Sequence, residues 1–477
     1  AIMSGFYAAY HGNKGLQNIA MHVHIKAVLI AQELTKLGCT QLNKTYFDTL
    51  KIQLPEGFSV ETLKLLAETN LVNFRYFEDG TIGISTDETT STEQIAKVVA
   101  IFAQILGKAM PSTLGEISTI SIPANLIRQT PALNHDIFEK YHSETDMMRY
   151  IKRLDRKDIS LTQSMISLGS CTMKLNAASE MLPLSNLGWM AIHPLVPEDQ
   201  AKGYQMLINN LSEQLKVITG FAGITLQPNS GAAGEYTGLR VIRAYLESIG
   251  QGHRNKILIP ASAHGTNPAS AVQCGYTTVT CACDDKGNVD VEDLRAKAEE
   301  HKDELAALMI TYPSTHGIFE PEIAEICKII HKCGAQVYMD GANMNAQVGL
   351  TNPGFIGADV CHLNLHKTFA SPHGGGGPGV GPICVAEHLV PFLPGHSIFG
   401  STQNQVSAAP FGSAGILPIT YGYIRMMGTE GLTQATKIAI LNANYLAACL
   451  KDTYGIVYRG ATGFVGHEMI LECRKVH

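Results

Sequence analysis

The fold follows from two β-rich segments of the sequence: Gln336-Val337-Tyr338-Met339-Asp340 and Asp359-Val360-Cys361-His362-Leu363-Asn364-Leu365. Similar runs precede them at 256–260, 277–283 and 306–311, and helical patterns lie at 231–248, 291–301 and 323–332. Such alternation of strands and helices predicts a mostly parallel sheet with helices on both faces. We therefore predict one large α/β domain over residues 166–415.

The composition is typical of a folded protein and argues against some classes of function. Of the 477 residues, 45% are hydrophobic and 16% are charged, and the formal net charge is −6. This balance argues against a general binder of nucleic acid or of an anionic membrane, and no apolar run reaches the roughly 18 residues that span a bilayer. The 11 cysteines include no CxxC pair, which favours reduced thiols in a cytosol-like compartment.

The two ends of the chain resemble each other. Residues 1–106 predict a helix broken near Gly12 and then a small α+β domain, and residues 107–165 predict a connector. Near the other end, Gly428-Thr429-Glu430-Gly431-Leu432 matches Gly12-Asn13-Lys14-Gly15-Leu16. The match predicts a duplicated protein in which residues 416–477 are the truncated start of a second small domain, so the chain is expected to be a fragment.

The strongest chemical signal is Lys367, which follows the β-rich run from Val360. A lysine at the end of a buried strand is suited to form a Schiff base with a carbonyl cofactor. The alternative is an ordinary surface lysine. Asp340 ends the preceding run, 27 positions earlier. A carboxylate there is suited to pair with a protonated pyridine nitrogen, or else to cap a helix. The two residues together favour a cofactor site.

Two further motifs fit such a site. Ser230-Gly231-Ala232-Ala233-Gly234 opens a predicted helix, and small residues at a helix N-terminus let a phosphate approach the backbone N–H groups. The alternative is a capped helix with close packing. His264 follows a predicted strand and is placed to lie over a flat cofactor, or else is structural. Hydroxyls of the segment 312–317 are also expected near the cofactor.

No metal site is predicted. His362 and His366 are four residues apart, but in a strand they do not share a face as zinc ligands on a helix would.

Four motifs, in order along the chain, resemble those of the glycine decarboxylase P-protein family of the glycine cleavage system: Ser170-Cys171-Thr172-Met173-Lys174-Leu175-Asn176, Ser262-Ala263-His264-Gly265-Thr266-Asn267-Pro268-Ala269-Ser270, Tyr338-Met339-Asp340-Gly341-Ala342-Asn343-Met344-Asn345 and His362-Leu363-Asn364-Leu365-His366-Lys367-Thr368. The resemblance implies a fold-type I enzyme that uses pyridoxal 5′-phosphate. Residues 1–106 resemble the end of the family's first, cofactor-free half, and residues 150–477 resemble most of its second half.

The resemblance also implies the roles of individual residues. Lys367 would bind the cofactor covalently, His264 would stack on its ring, and Asp340 would pair with the pyridine nitrogen. Backbone groups of Ala232 and Ala233 would hold the phosphate. Further positions implied at the cofactor are Ala342, Asn364, His366 and Thr315, and those implied at the glycine pocket are Ser170, Cys171, Thr172 and Lys174.

The activity implied is decarboxylation of glycine, with release of CO2 and transfer of the aminomethyl group to the lipoyl arm of the carrier H-protein. Homodimerisation of the full-length protein is implied, as is a location in the bacterial cytoplasm or the mitochondrial matrix. Two alternatives remain open: another pyridoxal-phosphate lyase or transaminase, and a catalytically silent half that supports an active partner. The presence of both Lys367 and Asp340 argues against the silent half.

Overall fold

The computed structural model describes residues 2–111, 113–115, 122–159, 163, 176–372 and 378–474. The chain divides into two compact units, residues 1–160 and 161–477. The division into four parts that the sequence predicts, with residues 107–165 as a connector, stays a prediction.

In its described part, the first unit has four helices and a four-stranded antiparallel sheet of order β1-β2-β4-β3. Its elements are α1 (Ile2–Lys36), β1 (Thr40–Gln41), β2 (Thr49–Gln53), α2 (Val60–Thr69), β3 (Arg75–Tyr76), β4 (Ile82–Ser85), α3 (Thr92–Ile105) and α4 (Glu144–Asp155). Alternate residues of the strands, such as Leu50 and Ile52, are buried in one core with residues of the helices such as Phe102. The small α+β arrangement is confirmed, although β1 was not predicted.

The second unit is an α/β domain. Its helices are α5 (Ala178–Met181), α6 (Leu187–Met190), α7 (Lys202–Thr219), α8 (Gly231–Ser248), α9 (Thr266–Gln273), α10 (Val291–Glu300), α11 (Ile323–Lys332), α12 (Pro353–Ile356), α13 (Leu365–Thr368) and α14 (Leu417–Leu450). Its strands are β5 (Gly223–Thr225), β6 (Lys256–Pro260), β7 (Thr277–Cys281), β8 (Leu305–Thr311), β9 (Gln336–Gly341), β10 (Val360–Leu363) and β11 (Ile383–Val385).

Those strands form one sheet of order β5-β11-β10-β9-β8-β6-β7 in the described residues. The strands from β10 to β7 pair in parallel, whereas β11 is antiparallel to both of its neighbours. Two apolar cores cover the two faces. One includes Met339 and Cys361, and the other includes Tyr338 and Val360. The mostly parallel sheet covered on both faces is therefore confirmed.

The two long terminal helices share a bend. Gly12 in α1 has φ 62° and ψ −177°, and Gly428 in α14 has φ 60° and ψ −176°. Only glycine adopts such angles readily, because a Cβ makes this region of the backbone map unfavourable. The isolated antiparallel bridge between Ile456 and Leu471 follows α14 as the pairing of β1 with β2 follows α1. The structural match supports the predicted repeat.

Candidate active site

The predicted cofactor residues gather at the carboxyl ends of β9 and β10. These strands are parallel with His362 directly opposite Asp340, so both side chains lie on the same face of the sheet. The chain then turns into α13, which carries Lys367. We predicted a strand through Leu365, and this boundary is wrong because the strand ends at Leu363. The carboxyl edge of such a sheet is where ligands bind in open α/β folds.

Helix α8 packs closely onto this face because it has glycines where it meets the strands. A Cβ at Gly238 would lie 2.6 Å from Cε2 of Tyr338, and one at Gly234 would lie 2.8 Å from the carbonyl oxygen of Gly381. Neither distance is tolerated between real atoms, so both positions need glycine. The close approach places the neighbouring Glu235 under the edge of the sheet, where it is 3% exposed.

Asp340 is a buried carboxylate held in its ionised form. Its side chain is 3% exposed; Oδ1 accepts a hydrogen bond from the backbone N–H of Ala342 at 3.0 Å, and Oδ2 accepts one from Nδ2 of Asn267 at 3.2 Å. Burial opposes its charge, but His362, these two donors and Lys367 together hold the pKa of Asp340 below its ordinary value. A buried carboxylate that stays charged can pair with a cationic ring nitrogen.

His362 supports Asp340 from the neighbouring strand. Its Nε2 lies 3.4 Å from Oδ1 of Asp340, and its Nδ1 lies 2.6 Å from the hydroxyl of Tyr338. Burial raises the pKa of Tyr338 well above its ordinary value, so the phenol keeps its proton and can donate it to Nδ1. The contact with Tyr338 holds the ring of His362 beside Asp340.

The anion site was predicted at the start of α8. The hydroxyl of Ser230 accepts the N–H of Ala233 at 3.0 Å, so of the two backbone groups predicted to bind phosphate, that of Ala233 is already engaged by the cap. Asn364 lies against the same turn, because a Cβ at Gly231 would come within 2.6 Å of its Oδ1. That Oδ1 is buried and has no hydrogen-bond partner among the described residues.

The remaining predicted positions differ in their surroundings. His264 is exposed and its Nδ1 lies 2.8 Å from the hydroxyl of Thr266. His366 is buried, Lys367 is half-buried, and the hydroxyl of Thr315 donates to the carbonyl oxygen of Ser262. The four positions predicted for the glycine pocket lie outside the described residues: Ser170, Cys171, Thr172 and Lys174.

Sequence reasoning missed three residues that the fold brings to this edge: Glu235, Asn267 and His467. The carboxylates of Glu235 and Asp340 and the ring of His362 have atoms that all lie within 4.8 Å of one another. Glu235 could have been found from the sequence, because it is a charged residue on the apolar face of a glycine-rich helix. His362 had been considered only as a zinc ligand.

The segment around His467 lies beside the loop that follows β8. The N–H of Gly466 donates to the carbonyl oxygen of Gly317 at 2.6 Å, and the side chain of His467 is 2% exposed. Burial, and then the nearby Lys367, lower the pKa of His467 to about 4. The imidazole is therefore neutral at neutral pH.

This lowered pKa predicts a pH dependence of stability. The folded state excludes a proton from His467 that the unfolded state binds, so the free energy of unfolding falls as the pH is lowered. This loss of stability is absent above pH 7, grows as the pH falls toward 4, and changes no further below that. The drop from 6.5 to about 4 corresponds to roughly 3 kcal/mol. Urea unfolding of the wild type and of His467→Gln should give a difference in free energy of unfolding that changes by about this amount between pH 7 and 4. A difference independent of pH would contradict it.

No helix in the described part of the chain is long and apolar enough to cross a membrane.

Comparison with known proteins gives consistent matches. The family model for the glycine cleavage system P-protein matches residues 1–102 and 103–411, and that for the glycine dehydrogenase C-terminal domain matches residues 435–477. Glycine dehydrogenase (decarboxylating) of Bacteroides thetaiotaomicron is 75% identical over all 477 residues. The mitochondrial protein of the same description from Dictyostelium discoideum is 54% identical over 485 aligned positions that cover 99% of the chain. The chain spans about half the length of these relatives, 50% and 49%.

Solved structures share the fold. A crystal structure of an inhibitor-bound glycine decarboxylase (P-protein) of the glycine cleavage system matches 77% of this chain and 83% of its own, with a TM-score of 0.56 and 17% identity. The glutamate decarboxylase domain of a Vibrio parahaemolyticus protein matches 71% of this chain and 72% of its own, with a TM-score of 0.52 and 15% identity. At such identities the likeness concerns the fold alone, which is that of fold-type I pyridoxal-phosphate enzymes. With a family model that matches most of its length, the chain belongs to the glycine cleavage system P-protein family.

Proposed function

We propose that this chain carries the cofactor site of a glycine dehydrogenase (decarboxylating) that uses pyridoxal 5′-phosphate. The observation that carries the proposal is the ionised, buried Asp340 at the sheet edge where Lys367 and the start of α8 also lie. This combination offers an amine, a carboxylate and a helix N-terminus to one small ligand that has a carbonyl, a ring nitrogen and a phosphate.

The residues at this edge fit the cofactor. Lys367 would hold it through its amine, Asp340 would face its ring nitrogen, and His264 would lie along its ring. The phosphate would meet the backbone of Ala232 and Ala233. The side-chain oxygens of Asn364 and Thr368 are buried and without partners in the described part of the chain, as expected for groups that await a polar ligand. The other positions we assign to the cofactor are Ala342, His366 and Thr315.

When bound, the cofactor supplies an electron sink for the bond that breaks as CO2 leaves glycine. The protein's part is to keep Asp340 charged, so that the ring nitrogen retains its proton. Lys367 would hold the cofactor through its amine, and a free amine at this position could move a proton. The hydrogen bonds from Ala342 and Asn267 fix the carboxylate of Asp340, so no reorganisation is needed during reaction.

We further propose glycine as the substrate, with Ser170, Cys171, Thr172 and Lys174 at its pocket, and the lipoyl arm of an H-protein as acceptor of the aminomethyl group. The name of the relatives, glycine dehydrogenase (decarboxylating), supports this substrate. The full-length protein would be a homodimer. It would act in the bacterial cytoplasm, as its bacterial relatives suggest, or in the mitochondrial matrix if eukaryotic, as one relative's description suggests.

Exchange of labelled bicarbonate into the glycine carboxyl group tests the reaction. Because the chain spans about half the length of its relatives, the assay should use a hybrid protein. In this hybrid the chain replaces the matching segment of the Bacteroides thetaiotaomicron protein. We expect exchange that requires both glycine and a lipoylated carrier, and none when alanine or glutamate replaces glycine. Exchange with those amino acids but not with glycine would support another pyridoxal-phosphate enzyme. Absence of exchange despite bound cofactor would refute the proposed reaction.

A further inference from the structure

The bend of α1 is covered by a later segment of the same unit, residues 135–155, which we call the covering segment. A Cβ at Gly12 would lie 2.4 Å from the carbonyl oxygen of Phe138 and 2.8 Å from Cε1 of His142. Nδ1 of His142 also lies 2.7 Å from the carbonyl oxygen of Tyr10. A carbonyl oxygen can only accept, so the imidazole is the donor. Because a bend interrupts the helical hydrogen bonds, carbonyl groups beside it need such donors.

The covering segment combines this donor with aromatic side chains. It consists of a short turn, Asp136–Glu139, and α4. The ring of Tyr150 in α4 is 5.9 Å from that of Phe6 in α1 and 4.2 Å from that of Tyr141, measured between centroids. Tyr150 is 9% exposed. The bend of α1 is therefore closed by one imidazole N–H and by apolar packing.

The matching bend of α14 is open. Gly428 corresponds to Gly12 in the repeat and has the same backbone angles. A Cβ at Gly428 would nevertheless meet no described atom within 4 Å, apart from its chain neighbours and the backbone of its own helix. Gly12 is buried, whereas Gly428 is exposed. The carbonyl group that corresponds to that of Tyr10 belongs to Met426, since each lies two residues before its glycine.

A groove with a volume of about 690 Å³ lies beside the open bend. It is lined by α7, by α12 and the loop before it, and by the part of α14 that contains Gly428. Three apolar side chains in the groove are largely exposed: Val217 by 79%, Leu350 by 48% and Phe355 by 85%. Exposed apolar side chains that share one groove are typical of a surface that binds another segment of protein.

We propose that this groove binds a segment of the longer protein that corresponds, in the repeat, to the covering segment. The chain spans about half the length of its relatives. Its own covering segment is already engaged at Gly12, so the occupant comes from the part of the longer protein beyond these 477 residues. The occupant donates a side-chain N–H to the carbonyl oxygen of Met426 and packs apolar side chains against the three exposed ones of the groove. This inference does not depend on the proposed function.

Photochemical cross-linking of the hybrid protein used for the exchange assay tests the proposal. The photoreactive amino acid p-benzoylphenylalanine replaces Phe355, which is the most exposed of the three apolar residues. After irradiation and digestion, mass spectrometry identifies the attached peptide. We expect a peptide that lies outside the 477 residues of this chain and aligns with the covering segment in the repeat. A peptide from anywhere else in the hybrid protein, or no attachment, would overturn the proposal.

A pair of matched variants separates binding in the groove from general effects. Val217→Asp should lower the yield of the cross-link by roughly tenfold, because a valine that the occupant buries becomes a charge. Val272→Asp is the control, since Val272 is 64% exposed and also lies in the last turn of a helix, α9. It should leave the yield unchanged. Equal losses in both variants, or no loss in either, would refute the proposal. The cross-link from residue 355 needs neither variant, so it decides the question if one of them fails to fold.

Discussion

Lys367→Ala is expected to lose the visible absorption band that the wild type develops with pyridoxal phosphate. The band arises from the covalent bond between the cofactor's carbonyl and a lysine amine. Lys367 lies in α13, which begins two residues after β10 ends. Noncovalent contacts through the phosphate and Asp340 would persist, so weak binding without the band is the predicted phenotype. The measurement is an absorption titration of both proteins with the cofactor.

A matched control guards against effects of removing any lysine. Lys328 is an exposed residue of α11, and Lys328→Ala should keep the full band. If Lys367→Ala also kept the band, the covalent site would lie at another lysine, and the assignment of the sheet edge as the cofactor site would fall.

Asp340→Asn should keep the covalent attachment and lose most of the turnover. The amide preserves the shape, and its oxygen can still accept from the N–H of Ala342, but it has no charge to hold a proton on the ring nitrogen. A hydrogen bond to a charged group contributes up to ~3 kcal/mol, which corresponds to a roughly hundredfold loss of rate. The glycine exchange assay, together with the absorption titration, measures both properties.

The buried Asp359 offers a control of the same chemistry at the opposite end of β10. Its Oδ2 accepts from the N–H of Val337 and lies 2.7 Å from Nε2 of His331. Asp359→Asn should therefore lower stability without changing turnover per folded molecule. Equal turnover losses in the two variants would mean that Asp340 acts through the fold, and near-normal turnover in Asp340→Asn would mean that another group pairs with the ring.

The sequence was sufficient to predict the helices and strands that are determined by local hydrophobic pattern. Strands β6, β8 and β9, and helices α8, α10 and α11, lie within one or two residues of their predicted bounds. The break near Gly12 was predicted from the sequence, and the structure has the same bend at the matching Gly428.

The parts that escaped prediction depend on distant pairing. Strands β5 and β11 have three residues each, too few for a periodic pattern, and β11 joins the sheet by pairing with β10 and β5. The neighbours of Asp340 were hidden for the same reason. Glu235 and His362 are 127 positions apart in the numbering and meet only because glycines let α8 lie close against the strands. Lys367 and Asp340 were predictable because each lies close to the end of a strand: Asp340 is one residue before the end of β9, and Lys367 is four residues after the end of β10.

The most direct test of the central claim is reduction of the cofactor-loaded chain with borohydride, followed by digestion and mass spectrometry of the peptides. Reduction makes the attachment permanent, so the modified lysine can be read from the sequence of its peptide. We predict that the added mass of the reduced cofactor is found on Lys367. Modification of a different lysine, or of none while the cofactor is bound, would contradict the account.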